Sequence, residues 1–361
     1  MNYYHRVFKT FSKEVINSWF LLEQTSNSSI FSSYDFHLSL NKYLKSKNLI
    51  IYIIYKENSN EALALIPLEK TKSIMGEVYI IHNFKYLDHI NIIYNENTNI
   101  QSLAKYIATN ILDRKELFIS TCDINDKFIK YLISNTRNCF KWKNNNRYII
   151  PKEDYEEFFR VHKRLEKRIK RSIKKYNITI ESITETNKDL AISLNEHINF
   201  KTQQFKRTYT RNIFSQKNFL SHFKNFIKDN YKKVLLLRLV SGEKEIDAVL
   251  ICYISRTELC YYQPSYRKDS KVESPGKILM YEAIKYAYKH NLVFDFSTGD
   301  EIYKKHYSTR KYNLKSIYLT NKFIPNFIEL VKYRILYSKN IRMHIKKLES
   351  YIKKILLYLH H

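Results

Sequence analysis

Glu273–Tyr288 reads ESPGKILMYEAIKYAY, and a chain with only four glycines places one of them directly behind a proline there. Ser274 is a residue type that caps helix N-termini by accepting from free backbone amides, and Pro275 suits the first helical position, where an N–H is dispensable. Gly276 adds something capping does not need. With no side chain over the next free amides, an anion can lie against backbone N–H groups at the positive end of the helix dipole. The competing reading is packing, in which Gly276 lets the helix approach a strand closely. Either way the stretch predicts a helix opening at Ser274, and the phosphate reading asks what surrounds it.

Downstream come a strand LVFDFS from Leu292, a loop TGDE, a short helix EIYKKHY and a strand LKSIYLT from Leu314. Upstream, KVLLLRLVSGEKEIDAVLICYISRTELCYYQPSY supplies three strands joined by the turns SGEKE and SRTE. Before these, NFLSHFKNFIKD and KDLAISLNEHINFKTQQFKR read as helices, preceded by one long helix within EDYEEFFRVHKRLEKRIKRSIKKYNITIESI. In that helix Phe158, Leu165, Ile169 and Ile173 follow helical spacing, while Arg164, Lys167, Arg168, Arg171, Lys174 and Lys175 crowd the other positions. The second part of the chain thus reads αααβββαβαβ. A crossover helix whose N-terminus opens beside a strand end is where phosphorylated ligands commonly bind.

The first part also reads as α/β. SWFLLEQTSN from Ser18 is helical, NLIIYIIYKENSNEALALIPLEK from Asn48 is a hairpin around ENSNE, LFISTCDI from Leu117 is a strand, and RYIIP is a short strand closed by Pro151. We therefore expect a first domain over 1–150, a second over 151–322 and a basic amphipathic helical tail over 323–361. The tail carries Lys332, Arg334, Lys339, Arg342, Lys346 and Lys347.

The chain has 361 residues, 62 Lys and Arg against 35 Asp and Glu, and a formal net charge of +27. Such a balance favours anionic partners, namely nucleic acid, acidic lipid headgroups or phosphorylated ligands, although the abundance of Lys, Asn, Ile and Tyr also fits codon bias. At 44% hydrophobic residues the chain folds rather than staying disordered. Cys122, Cys139, Cys252 and Cys260 show no CxxC spacing, so no structural metal and a reducing, cytoplasmic compartment are expected. No apolar run reaches the roughly 18 residues that crossing a bilayer needs.

Pro264–Tyr307, PSYRKDSKVESPGKILMYEAIKYAYKHNLVFDFSTGDEIYKKHY, resembles the signature region of the CelD-like acetyltransferases. That branch of the GNAT superfamily is associated with cellulose and envelope-polysaccharide loci and related to the FemX/FemAB peptidyltransferases. The resemblance rests on the SPG helix start of Ser274, Pro275 and Gly276. It rests also on a D-x-x-x-G-x-E-x-Y-K pattern filled by Asp295, Gly299, Glu301, Tyr303 and Lys304. Outside residues 260 to 307 it extends by pattern only. Three features depart from the family: Arg267 and Lys268 stand where an acidic residue is common, Tyr307 stands where Trp is usual, and the glycine-rich pyrophosphate loop of ordinary GNAT enzymes is absent.

The resemblance implies an α/β protein of tandem GNAT-like domains, mixed sheets flanked by helices, with acetyl-CoA or another acyl-CoA as co-substrate and no metal. It implies that Arg267, Lys268, Ser274, Gly276, Lys277 and Lys304 surround the donor's phosphates. Asp295, Tyr303 and His197 are the catalytic candidates: Asp295 to orient or deprotonate the acceptor, Tyr303 to protonate the leaving thiolate, His197 on the acceptor side. Structural readings stand beside these, including a capping box between Thr298 and Glu301. The implied reaction moves an acyl group directly from thioester to an amine or hydroxyl, such as an envelope glycan or lipid precursor. Two alternatives stay open: a FemX-like peptidyltransferase using aminoacyl-tRNA, and a non-catalytic basic protein on nucleic acid or an acidic membrane surface.

Overall fold

The computed structural model describes residues 2–337 except 27, 46–47, 74–75, 83–87, 89–91, 114, 184–187, 209–211, 243–244 and 323–326. In chain order, β1 (Tyr3–Phe8), α1 (Lys13–Thr25) and α2 (Tyr34–Leu44) precede β2 (Leu49–Lys56), β3 (Ala62–Ser73), β4 (Gly76–Ile81) and the short β5 (Ile93–Tyr94). Then come α3 (Ile100–Tyr106), β6 (Glu116–Asp123), α4 (Lys127–Ser134) and β7 (Asn138–Ile150). Next follow α5 (Tyr155–Val161), α6 (Lys163–Lys175), β8 (Ile178–Ile183), α7 (Lys188–Arg207), α8 (Lys217–Asp229), β9 (Val234–Ser241), β10 (Glu245–Ile254) and β11 (Glu258–Tyr266). The chain continues through α9 (Pro275–Lys289), β12 (Val293–Thr298), α10 (Ile302–Tyr307), β13 (Arg310–Thr320) and α11 (Phe327–Tyr337).

Two compact units form, and they are not sequential halves. The first comprises Met1–Ser26, Ser46–Asn146 and Tyr312–His361; the second comprises Asn27–Lys45 and Arg147–Lys311. The expected boundary at Pro151 thus falls a few residues early, at Arg147. Residues 27–45 join the second unit because Phe36 of α2 lies edge-on to Phe226 of α8 and Tyr253 of β10. Residues from Tyr312 join the first because β13 pairs antiparallel with β6. Of the expected tail, α11 is described, with Lys332 and Arg334 on it; Lys339, Arg342, Lys346 and Lys347 lie outside the described residues.

Both units are mixed α/β with helices flanking a sheet, and they repeat one topology. In the first, β2, β3 and β4 are antiparallel neighbours, and β6 returns parallel to β4 after α3. In the second, β8, β9, β10 and β11 run antiparallel, and β12 returns parallel to β11 after α9. A parallel return demands a crossover element, and a helix that covers the sheet supplies it. The core of the second unit collects Leu237, Leu239, Leu250, Ile278, Leu279, Ile284, Phe294 and Phe296.

Two sequence expectations are corrected. The long basic helix is broken at His162, whose amide bonds Phe158 O at 2.9 Å, giving α5 and α6. The short strand at RYIIP is the end of the 13-residue β7. The amphipathic pattern of α6 holds: Leu165 and Ile169 are buried, while Arg164, Lys167, Arg168, Arg171, Lys174 and Lys175 are exposed. Among the described residues no helix is long and apolar enough to cross a membrane, and no group of His, Cys, Asp and Glu could hold a metal ion.

Candidate functional site

β11 and β12 are hydrogen-bonded neighbours for three residue pairs only, Glu258 with Val293, Leu259 with Phe294 and Cys260 with Asp295. Beyond Cys260 the ladder ends and the two strands part. A bulge marks the place on β12: Ser297 takes a left-handed conformation at φ 64°, and the register against β7 shifts between Asp295 and Thr298. Its hydroxyl spans back to β11, donating to Tyr261 O at 3.2 Å. The part of β11 without a β12 partner leads to Tyr266, whose ring lies beside Gly276, so the helix start stands at the C-terminal end of β11.

At that helix start Ser274 is not the side-chain cap the sequence predicts. It stands at φ 54° and ψ 54°, and its hydroxyl makes no capping bond, because such a bond needs an extended backbone at the capping residue. Its carbonyl instead accepts from Lys277 N at 2.9 Å. Gly276 is half-buried, and a Cβ there would touch only Tyr266 Cδ1, at an ordinary 3.6 Å. Close packing therefore does not require this glycine. Lys268 and Lys277 are exposed beside it. Arg267 is held by carboxylates, with Nη2 2.7 Å from Glu245 Oε2 and 2.9 Å from Asp247 Oδ1, which keep its guanidinium above its ordinary pKa.

The segment after β12 is built around a buried lysine. Lys304 Nζ donates to Thr298 O at 2.6 Å and pairs with Glu301 Oε2 at 3.2 Å, so it clamps the loop. Glu301 stands at the cap position of α10 without a side-chain cap bond, which corrects the Thr298–Glu301 capping box. Gly299, at φ 139°, leaves room for this pair: a Cβ would strike the Glu301 carboxylate and come within 2.9 Å of Lys304 Nζ. Gly299→Ala should therefore displace the pair and strain the backbone, lowering stability by about 1–3 kcal/mol in urea titration. A loss within error of zero would show that the clamp is dispensable.

Of the three catalytic candidates, Tyr303 lies against β11, just past the end of the ladder. Its ring meets Tyr261 edge-on at 6.2 Å, and burial, with Glu301 beside it, raises its phenol above the ordinary range, so it stays a protonated donor. Asp295 is fully buried on the face of β12 opposite Phe294 and Phe296, as its strand parity predicts. Its Oδ2 accepts from Arg147 Nε at 3.0 Å and its Oδ1 from Ser297 N at 2.9 Å, and Arg147 also reaches Glu258 at 2.6 Å. Burial pulls the Arg147 guanidinium down, but Asp295 and Glu258 outweigh it and hold its pKa above the ordinary value.

His197, on α7, is also fully buried, against Phe223 and Phe214. The Ser265 hydroxyl donates to Val249 O at 3.1 Å, so it accepts from His197 Nδ1, 2.9 Å away, and Nε2 has no partner among the described residues. Burial, then the charge of Lys201, lowers its pKa to about 3, so the ring is neutral. Sequence reasoning singled out neither Arg147 nor Lys201. A buried arginine within RYIIP has no motif to announce it, and one lysine among 62 Lys and Arg carries no signal.

Residues 160–305, inside the second unit, match the family model for the acetyltransferase (GNAT) domain. No curated protein matches the chain in sequence. Among solved structures, FemX aligns over 89% of this chain and 98% of its own, at 11% identity and a TM-score of 0.62. The C-terminal domain of a putative lysylphosphatidylglycerol synthetase from Agrobacterium fabrum aligns over 91% and 97%, at 11% identity and a TM-score of 0.54. L-PGS from Bacillus licheniformis aligns over 90% and 97%, at 10% identity and a TM-score of 0.52. The second unit is thus a GNAT-type domain on a GNAT-like fold. The protein is an acyltransferase.

Proposed function

We propose that the second unit binds an acyl-CoA with its diphosphate at the N-terminus of α9 and its thioester between the parted ends of β11 and β12. The acyl group passes directly to an amine or hydroxyl acceptor. The observation that carries this is Gly276: packing does not need a glycine there, yet its absent side chain leaves the start of α9 uncovered, beside the gap that the three-pair ladder creates. Lys268 and Lys277 add charge to that mouth, whereas Arg267 serves mainly to tie β11 to β10. The CelD-like resemblance makes an envelope glycan or lipid precursor the preferred acceptor and a membrane-peripheral cytoplasmic site the preferred location.

Gly276→Val tests the reading. Val is no worse than Gly in a helix, so the fold should stand. Loss of one charge-assisted phosphate contact, about 1.5–3 kcal/mol, should weaken acetyl-CoA about ten- to a hundredfold in calorimetry. Gly242, at φ 52° in the turn after β9 with nothing near its Cβ position, is the control. Gly242→Val should cost stability and leave donor affinity unchanged. Normal donor binding by the Gly276 variant would reject the phosphate site.

A second reading, aminoacyl-tRNA as donor, draws on the likeness to FemX and on the exposed cations of α6. It requires affinity for charged tRNA that falls steeply with salt, and no affinity for acetyl-CoA.

A further inference from the structure

We propose that Lys201 accepts the proton of the acceptor nucleophile as it attacks the thioester, a role that rests on the acyl-CoA reading above. Lys201 follows His197 by one turn of α7, and the His197–Ser265 bond pins that part of α7 to β11 in the half that has lost its β12 partner. The Lys201 side chain is only 9% exposed. Among the described residues its ammonium has no hydrogen bond and no ion pair; it lies over the Phe205 ring, 5.7 Å from the centroid. A buried lysine without a carboxylate is costly to keep charged.

The nearby charges explain why it stays unmatched. Glu301 and Lys304, after β12, are the two that act on it, but Glu301 is already paired with Lys304 at 3.2 Å. His197, on its own helix, is neutral. Burial, reinforced by Lys304 and opposed by Glu301, lowers the Lys201 pKa to about 8. The other candidates serve less well: both Asp295 oxygens accept hydrogen bonds, the Tyr303 phenol holds its proton, and the bare Nε2 of His197 is a weak base, since burial and then Lys201 lower the ring's pKa to about 3.

The step balances without a further reactant. The acceptor's lone pair forms the new C–N or C–O bond to the acyl carbon, and its proton goes to the neutral Lys201 amine. The C–S bond breaks with its electron pair on sulfur. The resulting ammonium returns the proton to the thiolate, releasing free thiol and restoring the amine.

The test uses the full chain with acetyl-CoA, water serving as acceptor, and follows thiol release from about pH 6 to pH 10. Wild type should accelerate about tenfold per pH unit until about pH 8 and then level. Lys201→Met and Lys201→Arg should both slow release about a hundredfold or more and lose the inflection, while binding acetyl-CoA within about twofold of wild type. Lys201→Met should melt no lower than wild type, since it removes an unpaired buried cation. A wild-type profile retained in either variant overturns the role of Lys201 and leaves the donor site standing. Failure of wild type to bind acetyl-CoA overturns the donor reading and the role together.

Discussion

Taken from pH 7.5 to about pH 4.5, the protein should lose about 8 kcal/mol of stability to three buried histidines, enough to unfold the unit that contains them. His37, His197 and His222 all belong to the second unit and are at most 2% exposed. Burial is the leading cause in each case, lowering their pKa values from 6.5 to about 3, 3 and 4. The folded pKa lies below the unfolded one, so the neutral form is favoured in the fold. The contribution is present in full above about pH 6.5 and drains away as pH falls toward the folded values. Each histidine gives about 1.36 kcal/mol per pH unit, so three over about two effective units give the stated loss. Urea titrations across this window measure it directly. His222→Gln, which keeps a group able to bond Ser39 where His222 Nδ1 now lies 2.9 Å from its hydroxyl, should remove about a third of the slope. A stability profile that stays flat down to pH 4.5 would mean the rings gain partners or water on protonation.

How much of this was legible in the sequence depends on whether a feature is local. The αααβββαβαβ order, the helix start at Pro275 and the outward cations of α6 follow from periodicity and turn chemistry, which act over a few residues. That Asp295 faces away from Phe294 and Phe296 follows from strand parity. What could not be read is long-range. Nothing in SSIFSSYDFHLSL says that Phe36 will meet Phe226, and so the segment 27–45 was expected in the first domain. Nor does the strand LKSIYLT say that it will pair with LFISTCDI in the first unit. The site shows the same divide. Gly276 stands out because glycine is rare in this chain, whereas Lys201 matters through what is missing around it, and a missing partner is a property of the packed structure. Ser274 is the instructive failure: a residue type suited to capping sits in a backbone conformation that prevents it.

Arg147→Met is the second large effect, about 3–5 kcal/mol in urea titration, from removing one side chain at the end of β7. The guanidinium bonds Asp295 on β12 and Glu258 at the start of β11, so three strands are tied by one charge. The loss comes less from the attraction forfeited than from what stays behind. Asp295 is fully buried, and without Arg147 a carboxylate in a dry site faces a second one with no cation between them. Two consequences separate this account from simple loss of packing. The deficit should shrink when pH is lowered through the carboxylate range, because protonated groups no longer need the cation. It should also shrink by more than half in Arg147→Met/Asp295→Asn/Glu258→Gln, where no charge remains to be left unpaired. Either variant holding its full deficit at every pH would assign Arg147 to packing alone. The same pair of oxygens bears on the chemistry: an Asp295 already accepting from Arg147 and from Ser297 N has its carboxylate committed to shaping the bulge of β12. That bulge is where β11 and β12 part, so on the proposed acyl-CoA reading the ion network would keep the gap open, and its rupture should weaken donor affinity in proportion to the loss of fold.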